Sequence, residues 1–519
     1  MNLRYTLLAG LTLFIGTLHA QDAELQTKER YEYADAAQLW RRTLNPAGLS
    51  RDTLIERGIT YFDINQQDGT HYLVQDGDKQ NRLIFTSERY QKIGKYLYGY
   101  GCFTFDMGRQ FNRSWSDVLR SHHSNPYFSG SAIKGKYDFQ NFDLTASLAT
   151  VPLGRFTFGM RIDYTVGDLS RLKDPRSRTN LADYQLTPAV TYALDKHILG
   201  LSGYYHRRKE KIPSITTVQT DATLKYYVCT GMENAEGTTS GYSGFQREFV
   251  NHEFGGELSY QYKNEKWQSL TTLSLAKGKE DVWGAIKYTP GNYHTTTYGL
   301  LSMNRIAVGR LQHSFDLSAT YQTGKANEYR QERVTTTDSS TGISSSYWNT
   351  LLIYYGRYTV DLMQADAHYR LSWMNPTAGE MTSYAGIRLR FQSAEDQYNL
   401  PVSTLNVRSA DALIEGGYSF LRKDHRSLWI EAEAGYCASL TADLALSDAT
   451  TDYAVNVLIP DMTYYGASYA HGKLQVHYQH PVTIKKHTNV WFVKASAQYL
   501  KTNKSTDAKM FGLSIGIYH

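Results

Sequence analysis

The sequence predicts an all-β protein: a transmembrane antiparallel up-and-down β-barrel of about 16 strands (about 14–18), behind a short plug-like N-terminal segment. Three observations carry this. Apolar and polar residues alternate with a period of two over stretches of ten or more residues. Short turns alternate with long polar connections. The chain ends inside one of the alternating stretches.

The alternation is clearest at Arg155–Gly167, where Phe156, Phe158, Met160, Ile162, Tyr164 and Val166 point one way and Thr157, Gly159, Arg161, Asp163 and Thr165 the other. Val490–Leu500 repeats it, with Trp491, Val493, Ala495, Ala497 and Tyr499 against Phe492, Lys494, Ser496 and Gln498. Ile387, Leu389 and Phe391 alternate with Arg388 and Arg390, and Leu428, Ile430, Ala432, Ala434 and Tyr436 with Glu431, Glu433, Gly435 and Cys437. A soluble sandwich shows the same period with its apolar face inside; in a transmembrane barrel the apolar face is outside. Strand lengths of about 10–12 residues match a tilted crossing of the bilayer and favour the barrel.

Short turns fall at Val151–Gly154, Asp195–Lys196, Asn264–Lys266, Ala307–Gly309, Met374–Glu380, Arg422–Arg426 and Ile484–His487. Longer polar segments separate them, among them Arg208–Asn251, Lys325–Thr350 and Thr441–Asp461. Outer-membrane barrels distribute periplasmic turns and external loops in this way. Trp267, Trp373, Trp429 and Trp491 all sit beside the short turns, where an interfacial girdle would place them. Trp429 alone has the polar parity of its strand. At the C-terminus Phe511, Leu513, Ile515 and Ile517 alternate to the last residues. This resembles the strand through which the barrel-assembly machinery recognises its clients, although the chain ends on Tyr518-His519.

Composition agrees. Tyrosine supplies 42 of 519 residues and proline only 11, which excludes a disordered chain. A net charge of +5 without blocks of like charge leaves nucleic acid an unlikely partner class. Arg4, the apolar run Leu7–Gly16 and Thr17-Leu18-His19-Ala20 read as an export signal, residues 1–20, cleaved near Ala20. That implies the outer membrane of a Gram-negative bacterium and its lipid as surroundings. Residues 94–519 are assigned to the barrel and 21–93 to a plug or periplasmic segment. Within the latter, Ala34–Leu44 is helix-compatible and stops at Asn45-Pro46, while Leu54–Tyr61 and His71–Val74 read as short extended pieces. Cys102, Cys229 and Cys437 are an odd set that reads as isolated small side chains rather than a disulfide framework, with a Cys102–Cys437 bridge the lesser alternative.

Asn45-Pro46-Ala47-Gly48-Leu49, following Ala36-Ala37-Gln38-Leu39-Trp40, resembles the NPAGL segment near the N-terminus of outer-membrane transporters of the long-chain fatty-acid (FadL) type. That resemblance implies a lumenal plug and passage of small hydrophobic molecules, in a family whose barrel has fewer strands than the count made here. The tyrosine-rich texture of the whole chain is similar to outer-membrane β-barrel proteins of Bacteroidota.

No nucleophile elbow, zinc-binding helix motif or phosphate-binding loop occurs, so no catalytic residue, cofactor or metal ligand is assigned and the chain reads as a non-enzyme. His122-His123 read as solvated loop residues, and His477 and His480 fall on opposite faces of a strand. Two groups remain as candidate functional residues. Arg388, Arg390, Glu415, Glu431 and Glu433 face the lumen on successive strands and are expected to form a charge ladder. Leu39, Trp40, Asn45, Pro46, Gly48 and Leu49 are expected in the plug, with Leu39, Trp40 and Leu49 beside a pocket for a hydrophobic ligand. The leading function is a porin-like channel or transporter for small molecules, hydrophobic ones included. The alternatives are a barrel scaffold that partners a surface lipoprotein or another transporter, and a barrel enzyme. An energised receptor with a large plug and about 22 strands needs a longer chain.

Overall fold

The computed structural model describes residues 25–519 except 53–55, 219–222, 240–241 and 485–486. The export signal and part of the turn at Ile484–His487 lie outside the described residues. Eighteen long strands follow in chain order: Arg57–Gly69, Lys79–Ile93, Leu97–Arg113, Gly135–Thr150, Phe156–Arg171, Arg176–Leu194, His197–Ile212, Arg247–Lys263, Trp267–Trp283, Gly291–Val308, Leu311–Thr337, Ser344–Asn375, Glu380–Tyr398, Ser403–Lys423, Arg426–Ala445, Tyr469–Ile484, His487–Thr502 and Asp507–Tyr518. Each pairs antiparallel with the next. The first also pairs with the last, Ile59 opposite Tyr518, so the sheet closes and leaves no edge. His519 extends this seam, its ring 2.9 Å from the Thr60 hydroxyl and 3.1 Å from Arg89.

The apolar parity faces outward. Phe158, Met160, Leu389, Val493 and Ile515 are all exposed on the outer surface, where lipid takes the place of a protein core. Trp267, Trp373 and Trp491 are 42%, 40% and 38% exposed at the short-turn end, as a girdle requires. Trp429 points inward and is fully buried, which its polar parity indicated.

The count of 18 exceeds 16, and the barrel begins at Arg57 rather than at 94. The strands Arg57–Gly69 and Lys79–Ile93 were placed in the plug segment because their outward apolar runs are short, Phe62 and Ile64 in the first and Leu83 and Phe85 in the second. Tyr61, Asp63 and Asn65 alternate with Phe62 and Ile64, and Arg82, Ile84 and Thr86 with Leu83 and Phe85, which dilutes the hydrophobic signal. Lys325–Thr350 is not a loop but the upper part of a hairpin. Leu311–Thr337 and Ser344–Asn375 stay paired to Thr337↔Ser344, well past the point where their outer neighbours stop at Glu328 and Tyr358. The N-terminal helix spans Lys28–Ala37, upstream of the expected stretch, because Thr27 caps it by accepting the Arg30 N–H. The cysteines are free, and Cys229 lies in a short strand, Tyr226–Gly231, rather than a loop.

Connections at one end are short, for example 195–196, 309–310 and 424–425. At the other end the connections 114–134, 213–246 and 446–468 are long and fold inward together. Trp115, Tyr127, Tyr226, Tyr227 and Tyr453 from these loops form one buried cluster with Tyr358, Val360, Tyr398 and Leu405 of the wall. Among the described residues this is the largest apolar cluster, and it sits over the outer part of the lumen.

Candidate functional site

The lumen is bounded by two closures. Residues 25–52 cross the short-turn mouth. The Glu29 carboxylate is buried and accepts hydrogen bonds from the Trp429 indole (2.8 Å), the Ser419 hydroxyl (2.6 Å) and the Gln479 amide (2.8 Å). Burial raises the cost of that charge, and hydrogen bonds from Ser419, Ser427, its own backbone N–H and Trp429 more than offset it, holding the carboxyl below its usual range. The Lys28 ammonium lies 3.3 Å from Glu431 and 3.1 Å from Glu32. Across the mouth, the Arg57 guanidinium is buried against Glu88 (2.8 Å), Asp35 (3.1 Å) and the ring of Tyr31. Buried charges paired in this way hold the segment in one position.

Leu39 and Trp40 are buried against Ile198, Leu270 and Met303 of the wall, and the Trp40 indole donates to Gln261 at 2.8 Å. Gly200 permits this approach, since a Cβ there would meet Trp40 at 3.0 Å. Asn45 caps a short turn of 3-10 helix, Pro46–Ser50, by accepting the Ala47 N–H, and its amide donates to the Val190 carbonyl at 3.3 Å. Gly48 packs flat on Trp40, and the Tyr90 hydroxyl donates to the Leu49 carbonyl at 2.8 Å. The Thr157 hydroxyl donates to the Ala47 carbonyl at 2.9 Å. Leu49 packs in a separate cluster with Tyr90, Tyr98 and Ala149, so the apolar side chains of the segment meet the wall at two places.

The inward charges do pair across strands, but not as a single ladder. Glu415 accepts from His368 (3.0 Å) and Arg370 (2.8 Å). Arg388 and Arg390 both reach Asp366, at 2.6 and 3.3 Å. Glu433 pairs with Lys473 at 3.3 Å, and Glu431 is engaged by Lys28 and Tyr384. Register explains the difference. Glu415 lies opposite Gly386, which lies opposite Arg370. The glycine has no side chain to intervene, so Glu415 reaches past it to Arg370; a Cβ at Gly386 would sit 3.0 Å from the Glu415 carboxylate. Asp366, His368 and Arg370, on the strand that leads into the Met374–Glu380 turn, were not singled out in the sequence, because which inward charges meet depends on register across three strands. Arg161 and Asp163 form a local pair at 2.7 Å.

Substituting Glu415→Gln should leave Arg370 without its carboxylate while sparing the Asp366 cluster. The expected cost is about 1–3 kcal/mol, read from the urea midpoint of the folded barrel. An unchanged midpoint would mean that lumenal water already solvates the pair.

The outer closure is tied down by buried carboxylates. Asp117 accepts from Tyr137 (2.7 Å) and Tyr226 (2.9 Å), and Glu233 from the Ser403 hydroxyl (2.6 Å) and the Ser447 N–H (3.1 Å). His123 is half-enclosed rather than solvated, its Nδ1 2.6 Å from Asp396, because the loop that carries it folds down onto the wall. His122 lies 3.2 Å from Asp76. These histidines edge a small cavity of about 60 Å³ between the loops, with Tyr453, Asp461 and Tyr465 opposite. Among the described residues no group of three His, Cys, Asp or Glu could hold a metal ion.

Asp461, on the loop helix Ile459–Tyr465, accepts the Val74 N–H at 2.9 Å. Burial pushes its carboxyl up to about 7. Its unfolded value is about 3.9, so the stability it lends is complete below about pH 4 and is lost as pH rises through 7. Protection factors for amide exchange in 446–468 should therefore fall between pH 5 and pH 8, by on the order of 2 kcal/mol. Asp461→Asn, which keeps the acceptor and removes the charge, should flatten the profile. A flat profile in the unmodified protein would show that this carboxyl does not govern the loop.

A closed sheet with a lipid-facing exterior, a charged lumen and an N-terminal plate across one mouth defines the class: a membrane β-barrel. The chain belongs to a family of unknown function, DUF6850, whose model matches residues 46–519. No curated protein matches it. Among solved structures, similarity extends to the copper transporter OprC (9% identity, TM-score 0.38, covering 90% of this chain and 81% of that one). It extends also to the FrpB iron transporter of Neisseria meningitidis (9%, 0.38, 92% and 83%) and to a Pseudomonas aeruginosa FadL homologue (12%, 0.34, 91% and 92%). The fold assignment rests on the strand pairing of this chain itself.

Proposed function

We propose that the protein is an outer-membrane channel or transporter of a Gram-negative bacterium, gated at the short-turn mouth and passing small polar solutes. The observation that carries this is the state of the lumenal charges between the two closures. Arg388, Arg390, Lys473 and Glu433 are paired, yet their side chains keep 35%, 43%, 34% and 35% of their surface open. Open, paired charges of both signs line a wet chamber, which suits a polar cargo and disfavours a hydrophobic one. Barrels of about 16–18 strands enclose an aqueous channel when nothing fills them. The closing seam at Asp507–Tyr518 is where assembly machinery would act.

Liposome swelling with sugars and amino acids tests this reading. The intact protein should admit small polar solutes slowly, and Trp40→Ala, which empties the main contact of the plate, should admit them faster. Impermeability of both would favour the scaffold reading. That second reading has one observation of its own. The hairpin above the rim leaves Tyr347, Leu351 and Tyr355 exposed, with Tyr355 79% open, and a surface lipoprotein would cover such side chains. Co-purification that is lost on removing 331–350 would support it.

A further inference from the structure

Elsewhere on the outward face at the long-loop side, basic residues stand singly, with Arg109 paired to Asp138, Arg178 to Asp168 and Lys509 to Asp68, and several strands pass instead to acidic residues. Tyr164 is followed by Asp168, Met363 by Asp361 and Phe391 by Glu395. On five consecutive strands the basic residues instead fall side by side. Beyond Tyr205 comes Arg207, beyond Phe254 His252, beyond Leu275 Lys277 and Lys279, beyond Tyr298 His294, and beyond Tyr321 Lys325. Their registers align. Arg207 pairs opposite His252, His252 opposite Lys279, Lys279 opposite His294, and His294 opposite Lys325. At about 4.8 Å per strand this is one continuous basic stripe about 20 Å long. His252, Lys277, Lys279, His294 and Lys325 are exposed. Among the described residues no carboxylate lies within 4.0 Å of Arg207, Lys277 or Lys325, whereas Lys279 shares Asp281 at 2.9 Å.

We propose that this stripe binds the phosphate-bearing headgroup of an anionic lipid in the outer leaflet. The inference rests on the outer-membrane orientation given above and goes beyond the channel reading. Unpaired guanidinium and ammonium groups recognise phosphate as a charge-assisted acceptor. Their position selects a lipid over a free anion. Directly beneath the stripe Phe254, Leu275, Tyr298 and Tyr321 are exposed at acyl-chain depth, with the Tyr205 ring against Phe254 and its hydroxyl 2.7 Å from His252, so one molecule meets both chemistries at once.

Native mass spectrometry of the full chain in neutral detergent tests this, with bisphosphorylated lipid A, its dephosphorylated form and inorganic phosphate as probes. The unmodified protein should retain bisphosphorylated lipid A and lose it with rising salt, and should retain the dephosphorylated form at least about tenfold less well. The triple variant Arg207→Gln, Lys279→Gln, Lys325→Gln should bind bisphosphorylated lipid A about tenfold or more weakly, while Lys501→Gln, across the barrel, should bind as the parent does. Folding of each variant is checked by heat-modifiable gel mobility, and the comparison of lipid probes on the unmodified protein needs no variant. Equal retention of the two lipid forms, equal binding by the triple variant, or displacement of the lipid by millimolar phosphate would each overturn the proposal.

Discussion

Deleting residues 25–52 is expected to convert a slow, gated barrel into an open pore, with a rise in planar-bilayer conductance or swelling rate of about tenfold or more. All 18 strands begin at or after Arg57, so the deletion removes no wall hydrogen bond. A longer deletion, to residue 80, would take away Arg57–Gly69 and with it the closing seam to Asp507–Tyr518. The groups that held the plate, Glu88, Trp429 and Glu431, would then face lumenal water rather than an apolar medium, so the barrel should remain folded. Heat-modifiable mobility checks that it does. A truncated protein that conducts no better than the intact one would place the barrier in the outer loop cap and remove the gating role of 25–52.

The second large effect is a charge placed on the outer face. Leu389→Arg or Val493→Arg puts a guanidinium into lipid near mid-depth and should cost about 2–4 kcal/mol each. Ser496→Arg, on the same strand as Val493 but facing the lumen, should cost clearly less. Gly435, also lumenal, is not a fair comparison, because a Cβ there would already meet the His471 ring at 2.6 Å. Folding free energies in lipid vesicles measure the difference. Equal penalties at Val493 and Ser496 would mean that the two faces are assigned the wrong way round.

Both experiments depend on features of unequal legibility. The inward and outward faces of Phe156–Arg171 and His487–Thr502 follow from a period of two, and that period is local. Each residue's side is set by its neighbours along one strand. The same local logic places Trp267, Trp373 and Trp491 at the girdle and turns Trp429 inward. It weakens where the outward apolar run is only two residues long, as in Arg57–Gly69 and Lys79–Ile93, and where pairing runs on beyond the membrane, as in the hairpin to Thr337↔Ser344.

The sequence by itself determined the barrel, its membrane face, the sidedness of its turns and the residues able to carry charge inward. Only the tertiary structure decided which charges meet. Glu415 joins Arg370 rather than Arg388 because the register of three strands puts Gly386 between them. Glu431 answers to Lys28, and Trp429 to Glu29, because a segment about 400 residues earlier in the chain folds across the mouth. Alternation along a strand is written in adjacent residues, whereas partners across strands and across the lumen depend on closure of the whole sheet, which no local pattern encodes.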